Sequence, residues 1–397
     1  MEIEDVRAVP LAQVEETRDI VRTWTLIRTE TADGTVGWGE ASTSYGNHYP
    51  LVTAQVVESA LREPLVGGDP TEVEALSARL KNVVGKHLGT SGPPMQAISG
   101  VEVSLWDLRG KHEGKPVSEL VGGHRERVPV YLTGKTAHDR DPQWHYEFFE
   151  DRLDMGFDAV KLRIGKNPDW DVELVETVRE RVGEEVEILT DGYLCYDYET
   201  ALAVAERLAE FDVAAFEEPI DQSDHESVRR LAEEAPMPLA YGEHLTSHAD
   251  FEAFDRLTGR QVGVLQPDAT VSGGIRESLR VGELAAERGA AVFPHVGGLT
   301  AVGVAANLHL ASAIEGFQRL EMDGEPDQPL RDEVLADPLF RFDRAVDGQF
   351  DVPTGPGLGI EVDESALAEY RYEKFEDRIE NQETPDWYDR YYAGIES

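Results

Sequence analysis

Residues 186–243, VEILTDGYLCYDYETALAVAERLAEFDVAAFEEPIDQSDHESVRRLAEEAPMPLAYGE, alternate short apolar or β-branched runs with longer amphipathic stretches. Each short run ends in an acid: Asp191, Glu217 and Glu243. Followed outward in both directions, the same alternation starts near residue 128 and continues past residue 314. The strand candidates are 128–132, 159–164, 186–190, 214–217, 239–242, 262–266, 291–294 and 318–322. Helical patterns occupy 170–181, 200–211, 225–234, 249–257, 275–288 and 301–314. Eight strands with intervening helices point to an α/β fold, a parallel (β/α)8 barrel of the TIM type.

The strand ends say more than the strands. Asp191, Glu217, Glu243, Asp268, His295 and Glu321 follow one another at intervals of 26, 26, 25, 27 and 26 residues. That interval is one βα unit, so these side chains emerge at one end of successive strands, the end that carries the active site in this architecture. Chance is the bland reading, because Asp and Glu make up about a fifth of the chain, but each of the six also closes an apolar run.

Residues 1–125 read differently. Strand-like 23–28 and 36–39 precede helical 52–60, 73–80 and 97–111, an α+β pattern. Residues 126–340 hold the barrel pattern. Residues 341–397 lack it, contain the turn-rich Pro356-Gly357-Leu358-Gly359, end in an acidic aromatic tail, and are expected to return to the first domain. The only internal repeat is the βα period.

Composition narrows the function classes. With 37 basic and 78 acidic residues, the net charge of −41 creates a field that repels nucleic acid and anionic membranes. The acids are scattered among apolar residues, as in 283–287 and 361–364, which suggests a folded surface suited to concentrated salt, where screening blunts self-repulsion. An acidic disordered chain conflicts with 41% hydrophobic content. No apolar segment approaches the roughly 20 residues a bilayer span needs, and the single Cys195 cannot form an internal disulfide. A cytoplasmic protein is expected.

Three acids converging from one barrel mouth make an all-oxygen site, which suits Mg²⁺ better than zinc in the absence of Cys or His at ligand spacing. Taken singly, each acid is more ordinary as a solvated loop residue. Lys161 and Arg163 are two apart, so both turn to one face of their strand, the barrel interior. Inward cations are costly unless anions meet them, as the acids and an anionic substrate would do. Asp268 and His295 end adjacent strands, where the carboxylate can hold one imidazole nitrogen while the other faces substrate, a competent acid or base. A lone histidine after a strand is more often structural, and none of the other ten histidines is given a catalytic role.

Together these residues carry a resemblance. Lys161-Leu162-Arg163-Ile164-Gly165, Glu217-Glu218-Pro219, Gly242-Glu243, Pro267-Asp268 with Gly273-Gly274, and Pro294-His295 resemble the barrel motifs of the mandelate racemase group of the enolase superfamily. Gly37-Trp38-Gly39-Glu40, Ala97 through Trp106-Asp107 to Gly122-Gly123, and residues 356–361 resemble its N-terminal capping domain and the C-terminal segment that completes it. The resemblance spans nearly the whole chain. Sites of that superfamily are known for a Lys or His base with Mg²⁺ holding the intermediate, so this chemistry comes from the family and not from the spacing. It implies Asp191, Glu217 and Glu243 as Mg²⁺ ligands, the first Glu of Glu-Glu-Pro being the ligand. It also implies His295 with Asp268 as the acid/base dyad, Glu321 as hydrogen-bond partner of an enediolate, and Lys161 as contact for the substrate carboxylate.

Two departures stand out. Arg163 occupies the place of a second lysine, and a guanidinium is a poor general base, which disfavours a two-base racemase. Tyr193 stands where the family often has Asn, either as a shape-filling aromatic or as a hydroxyl acid near the leaving group. The resemblance therefore implies an enzyme, a hydro-lyase that removes the C2 proton of a sugar acid such as an aldonate and expels the C3 hydroxyl to give a 2-keto-3-deoxy acid. Its partner is a small carboxylate, aldonate or aldarate, and the family often forms homo-oligomers. Loops near 18–22 and 44–48 are expected to close over the sugar tail. The rival within enzymes is a racemase or epimerase of a hydroxy acid. The rival outside them is a non-catalytic barrel that binds a metal or an acid.

Overall fold

The computed structural model describes residues 1–15, 20–42 and 50–380. The expected substrate-covering loops therefore fall largely outside the described residues; of them only Ile20, Val21 and Arg22 are described, and these belong to a strand. Strands β1 (Ile3–Glu15), β2 (Ile20–Thr31) and β3 (Val36–Glu40) form an antiparallel sheet in that order. Val, Ile, Leu and Thr dominate β2, as a half-buried pleated surface requires. β1 was not expected from the sequence; it is an edge strand, which tolerates its Pro10 opposite Thr25. The helix Pro93–Glu113 packs across this sheet with most of its length buried.

The barrel strands are β4 (Arg127–Thr133), β5 (Ala159–Arg163), β6 (Glu187–Asp191), β7 (Val213–Glu217), β8 (Leu239–Tyr241), β9 (Val264–Leu265), β10 (Ala291–Val292) and β11 (Leu320–Asp323). They pair in parallel, in the order β10-β9-β8-β7-β6-β5-β4-β11. The ring closes where Val292 N donates to Gly316 O (2.8 Å) and Glu321 N to Pro294 O (3.1 Å). This is a TIM-type barrel with a cap. All eight expected strands and all six expected helices are present. A seventh helix, Pro142–Asp154, was missed.

A strand beyond residue 341 was also unexpected: β12 (Gln349–Asp351) pairs antiparallel with the start of β4, Phe350 opposite Val128. The same stretch then reaches the first domain, where Leu358 N donates to buried Asp107 Oδ1 at 2.8 Å. It grips both parts of the molecule. Among the described residues, no helix is long and apolar enough to cross a membrane.

Strand alternation builds the barrel interior in layers. Tyr131, Ala159, Leu189, Ala215, Ala240, Val264 and Phe293 pack as an apolar floor, three alanines making room for the two rings. Two residues further along the strands lie Thr133, Lys161, Asp191 and Glu217.

The cap docks on the barrel through two buried carboxylates at helix N-termini, where unsatisfied N–H groups favour an anion. Glu40 accepts from Thr300 N (3.1 Å), Thr300 Oγ1 (2.6 Å) and Gly303 N (3.0 Å), at the start of helix Ala301–Ala313. Glu102 accepts from Ile275 N (2.9 Å) and Arg276 N (3.1 Å), at the start of helix Ile275–Ala286. Burial outweighs these donors and pushes each carboxyl up to about 7. Folding thus raises both above the ordinary 4.5, so the stability they contribute is complete below that pH and is lost as pH rises through about 7. The stability difference between Glu40→Gln, which cannot ionise, and the parent is expected to shift in favour of the variant as pH rises from 5 to 8, whatever its offset at pH 5. Thermal melts across that range check this, and parallel pH curves for the two proteins would refute it.

Candidate active site

β6 and β7 end in Asp191 and Glu217, paired across the sheet, and Glu243 follows β8. Oxygens of the three carboxylates lie within 4.8 Å of one another. Glu217 Oε1 accepts from Lys161 Nζ and Oε2 from Gln266 Nε2, both at 2.7 Å. Asp191 pairs with Arg163 and accepts from Tyr193 N at 2.9 Å. Glu243 Oε2 is buried with no hydrogen-bond partner; His295 Nε2 is 3.4 Å away. A buried carboxylate oxygen without a hydrogen bond, beside two other acids, fits a hard divalent cation. A second grouping, Glu218, Glu243 and His244, is tied internally, with His244 Nδ1 2.9 Å from Glu218 Oε1.

Burial pushes the Glu217 carboxyl well above its ordinary value; Lys161 opposes this, and Asp191, Glu321 and Glu243 add to it. Burial alone would lower the Lys161 ammonium, but Glu217 and Glu321 drive it well up. Lys161 is fully enclosed, with Glu321 Oε1 at 2.9 Å and Asp191 Oδ2 at 3.5 Å. Lys161 and Arg163 are two cations against the four carboxyl groups of Asp191, Glu217, Glu243 and Glu321, an imbalance that a metal cation would offset. Backbone strain gathers at the same mouth: Tyr193, Leu194 and Glu218 have φ of 57°, 58° and 39°.

Across the mouth, Asp268 Oδ2 lies 3.0 Å from His295 Nδ1. Asp268 is itself fixed, Oδ1 accepting from Thr270 N (2.7 Å), Thr270 Oγ1 (2.8 Å) and Asn307 Nδ2 (3.0 Å). The ring is thereby held with Nδ1 as donor to Asp268 and Nε2 turned toward Glu243 and, at 3.6 Å, Glu321. Burial would lower the His295 pKa, but the Glu243, Glu321 and Asp268 carboxylates push it up to about 10.

Glu321 accepts throughout: from Thr133 Oγ1, from Lys161, and from Val296 N and Gly297 N at 3.2 Å each. It must take up a proton before it can donate to an enolate oxygen. The Arg163 guanidinium sits 5.4 Å from the centre of the Tyr193 ring, so the two side chains stack. All nine residues singled out in the sequence therefore meet at one barrel mouth. Gln266, Thr133, His244 and Asn307 were missed. Alternation marks the first two, since Gln266 lies two residues before Asp268 and Thr133 two after Tyr131. His309 is structural, accepting from Ser118 N (3.1 Å) and bonded to Leu358 O (3.1 Å).

Fold and site together define a capped barrel with a carboxylate triad facing a His–Asp pair. The model for "Enolase C-terminal domain-like" matches residues 146–366, and that for "Mandelate racemase / muconate lactonizing enzyme, N-terminal domain" matches residues 4–122. D-galactarolactone cycloisomerase of Agrobacterium fabrum is 34% identical, over 88% of this chain and 92% of its own length. Arabinonate dehydratase of Saccharolobus solfataricus is 33% identical, over 86% and 89%. Among solved structures, an enolase-superfamily member from Polaromonas sp. JS666 superposes with a TM-score of 0.86 at 31% identity, covering 94% of this chain and 98% of that one. The chain belongs to the mandelate racemase/muconate lactonizing enzyme family of the enolase superfamily.

Proposed function

We propose that the protein is a Mg²⁺-dependent hydro-lyase that dehydrates a sugar acid, with an aldonate as its substrate. The observation that carries this reading is a single base, His295 backed by Asp268, opposite the triad of Asp191, Glu217 and Glu243. Several relatives at 28–33% identity bear sugar-acid dehydratase names, which supports the same choice.

In the proposed reaction the substrate carboxylate lies beside Lys161, whose buried ammonium counters the charge that builds on its oxygens when the C2 proton leaves. Mg²⁺ held by Asp191, Glu217 and Glu243 would act as a Lewis acid on the same carboxylate. His295 Nε2, in the neutral form that the charge of a cation beside Glu243 would favour, takes the C2 proton and gives it to the C3 hydroxyl as the C3–O bond breaks, so that water leaves and the resulting enol tautomerises to a 2-keto-3-deoxy acid. Tyr193 shapes the mouth by covering Arg163.

Incubating aldonate and aldarate salts with Mg²⁺ and detecting 2-keto acid tests the reading. An isomer of unchanged composition would instead favour the activity named for the cycloisomerase relative, and no change in any acid would favour a binding barrel. Racemisation is not expected, because Arg163 is paired with Asp191 and holds its proton. The parent should leave the C2 configuration of unreacted substrate intact, whereas Arg163→Lys should introduce slow exchange from the second face. NMR in deuterated water reads both, and rapid equilibration of C2 epimers by the parent would overturn the single-base assignment.

A further inference from the structure

The two helices whose N-termini receive Glu40 and Glu102 are not arbitrary. Helix Ile275–Ala286 follows the loop that carries Asp268, and helix Ala301–Ala313 follows the loop that carries His295. Both halves of the dyad thus sit on loops held at their far ends by a carboxylate from the cap. Neither approach would survive a side chain beneath it. A Cβ on Gly274 would lie 2.3 Å from Glu102 Oε2, and one on Gly303 would lie 2.6 Å from Glu40 Oε2.

Further bonds run from the cap to the same two loops. Ser42 N donates to Thr270 O (3.2 Å), Gly273 N donates to Ser99 Oγ (2.8 Å), and Trp24 Nε1 donates to Gly298 O (2.6 Å). Inside the barrel the chain of contacts continues to the imidazole. Thr270 and Asn307 grip Asp268 Oδ1, and Asn307 lies on the helix that Glu40 holds. Ala269 N donates to Asn307 Oδ1 at 3.0 Å, which ties the Asp268 loop to that helix a second time.

We infer that Glu40 and Glu102 are positioning residues through which the cap sets the geometry of the Asp268–His295 dyad. The cap therefore does more than cover the mouth: it fixes the angle at which His295 Nε2 meets substrate. The inference rests on the proposed role of that dyad. Displacement of a reacting group by about 1 Å can cost roughly 100-fold in rate, so small movements of these loops have large effects.

The test is steady-state kinetics at pH 8, where the Glu40 carboxyl is ionised, on the full chain with Mg²⁺ and a sugar acid that the parent dehydrates. Glu40→Gln removes the negative charge at this helix N-terminus and turns the oxygen that faces Thr300 N at 3.3 Å into a donor, and should lower kcat roughly 10- to 100-fold, with KM and the Mg²⁺ dissociation constant within about twofold of the parent. In a His295→Asn background the same change should have no further effect, because Glu40 acts through the imidazole. A parental kcat with only a lower melting temperature would overturn the inference. So would an equal loss in both backgrounds, or a joint collapse of kcat, KM and metal binding. If Glu40→Gln fails to fold, Glu102→Gln and Asn307→Ala carry the same readouts. If the parent eliminates water from no sugar acid, the functional reading fails instead. The clamp is then read by amide exchange: faster exchange in Glu40→Gln at 268–273 and 295–300 supports it, and parental rates there overturn it.

Discussion

His295→Asn is expected to lower turnover by at least the roughly 10²–10⁴-fold typical of losing a positioned acid or base. Hydroxide is a poor leaving group and must be protonated as it departs, and among the described residues of the mouth His295 is the proton donor that Asp268 orients. The fold should persist, since Asn is polar and of similar reach. Mg²⁺ binding should persist as well, because the triad oxygens come from other strands. Asp268→Asn should be milder or comparable: the imidazole stays, but the acceptor for its Nδ1–H is lost. Hydrogen exchange at C2 separates two roles. A His295→Asn protein that still exchanges the C2 proton with deuterated water but eliminates nothing would make His295 the acid alone. Loss of both would fit a base that also serves as acid. Near-normal dehydration would remove the dyad from the mechanism.

Chelation should abolish turnover, and added Mg²⁺ should restore it. Metal assistance contributes several kcal/mol of transition-state stabilisation, on the order of a thousandfold in rate. Glu243→Gln should show a loss of that size, because Glu243 Oε2 is a buried triad oxygen without a hydrogen bond and a carboxamide is a far weaker ligand. Calorimetric titration with Mg²⁺ provides a readout independent of activity. Full turnover in metal-free protein, or parental metal affinity in Glu243→Gln, would take Glu243 out of the ligand set.

The barrel and most of its mouth were legible because one βα unit repeats, so a single period marks both the strand ends and the side chains they carry. Features without a local period were not. The helix Pro142–Asp154 buries His145 and Arg152 among its core positions, which breaks the apolar stripe by which helices are recognised. β1 mixes charged residues and Pro10 into its run, and β12 has three residues, too few for alternation to register. Glu40 lies in a motif that the sequence exposes, yet its partner Thr300 is 260 residues away. Contacts of that kind appear only when the chain is folded. The orientation of Glu321 as an acceptor likewise depends on Val296 and Gly297, whose N–H groups carry no mark in the sequence.

The placement of β12 has a consequence for the order in which the molecule is completed. β4 borders β5 and β11 within the ring and takes β12 at its start, so the strand that opens the barrel is enclosed by segments made nearly 190 and 220 residues later. On the ribosome, the cap's Asp107 waits longer still, since its partner Leu358 lies 251 residues downstream. Closure of the ring and the seating of the cap thus wait for segments made long after the strands and helix they meet. Until residues 320–323 and 349–351 have emerged, the nascent chain holds an open sheet whose first strand has an unpaired border, the kind of edge that chaperones shield.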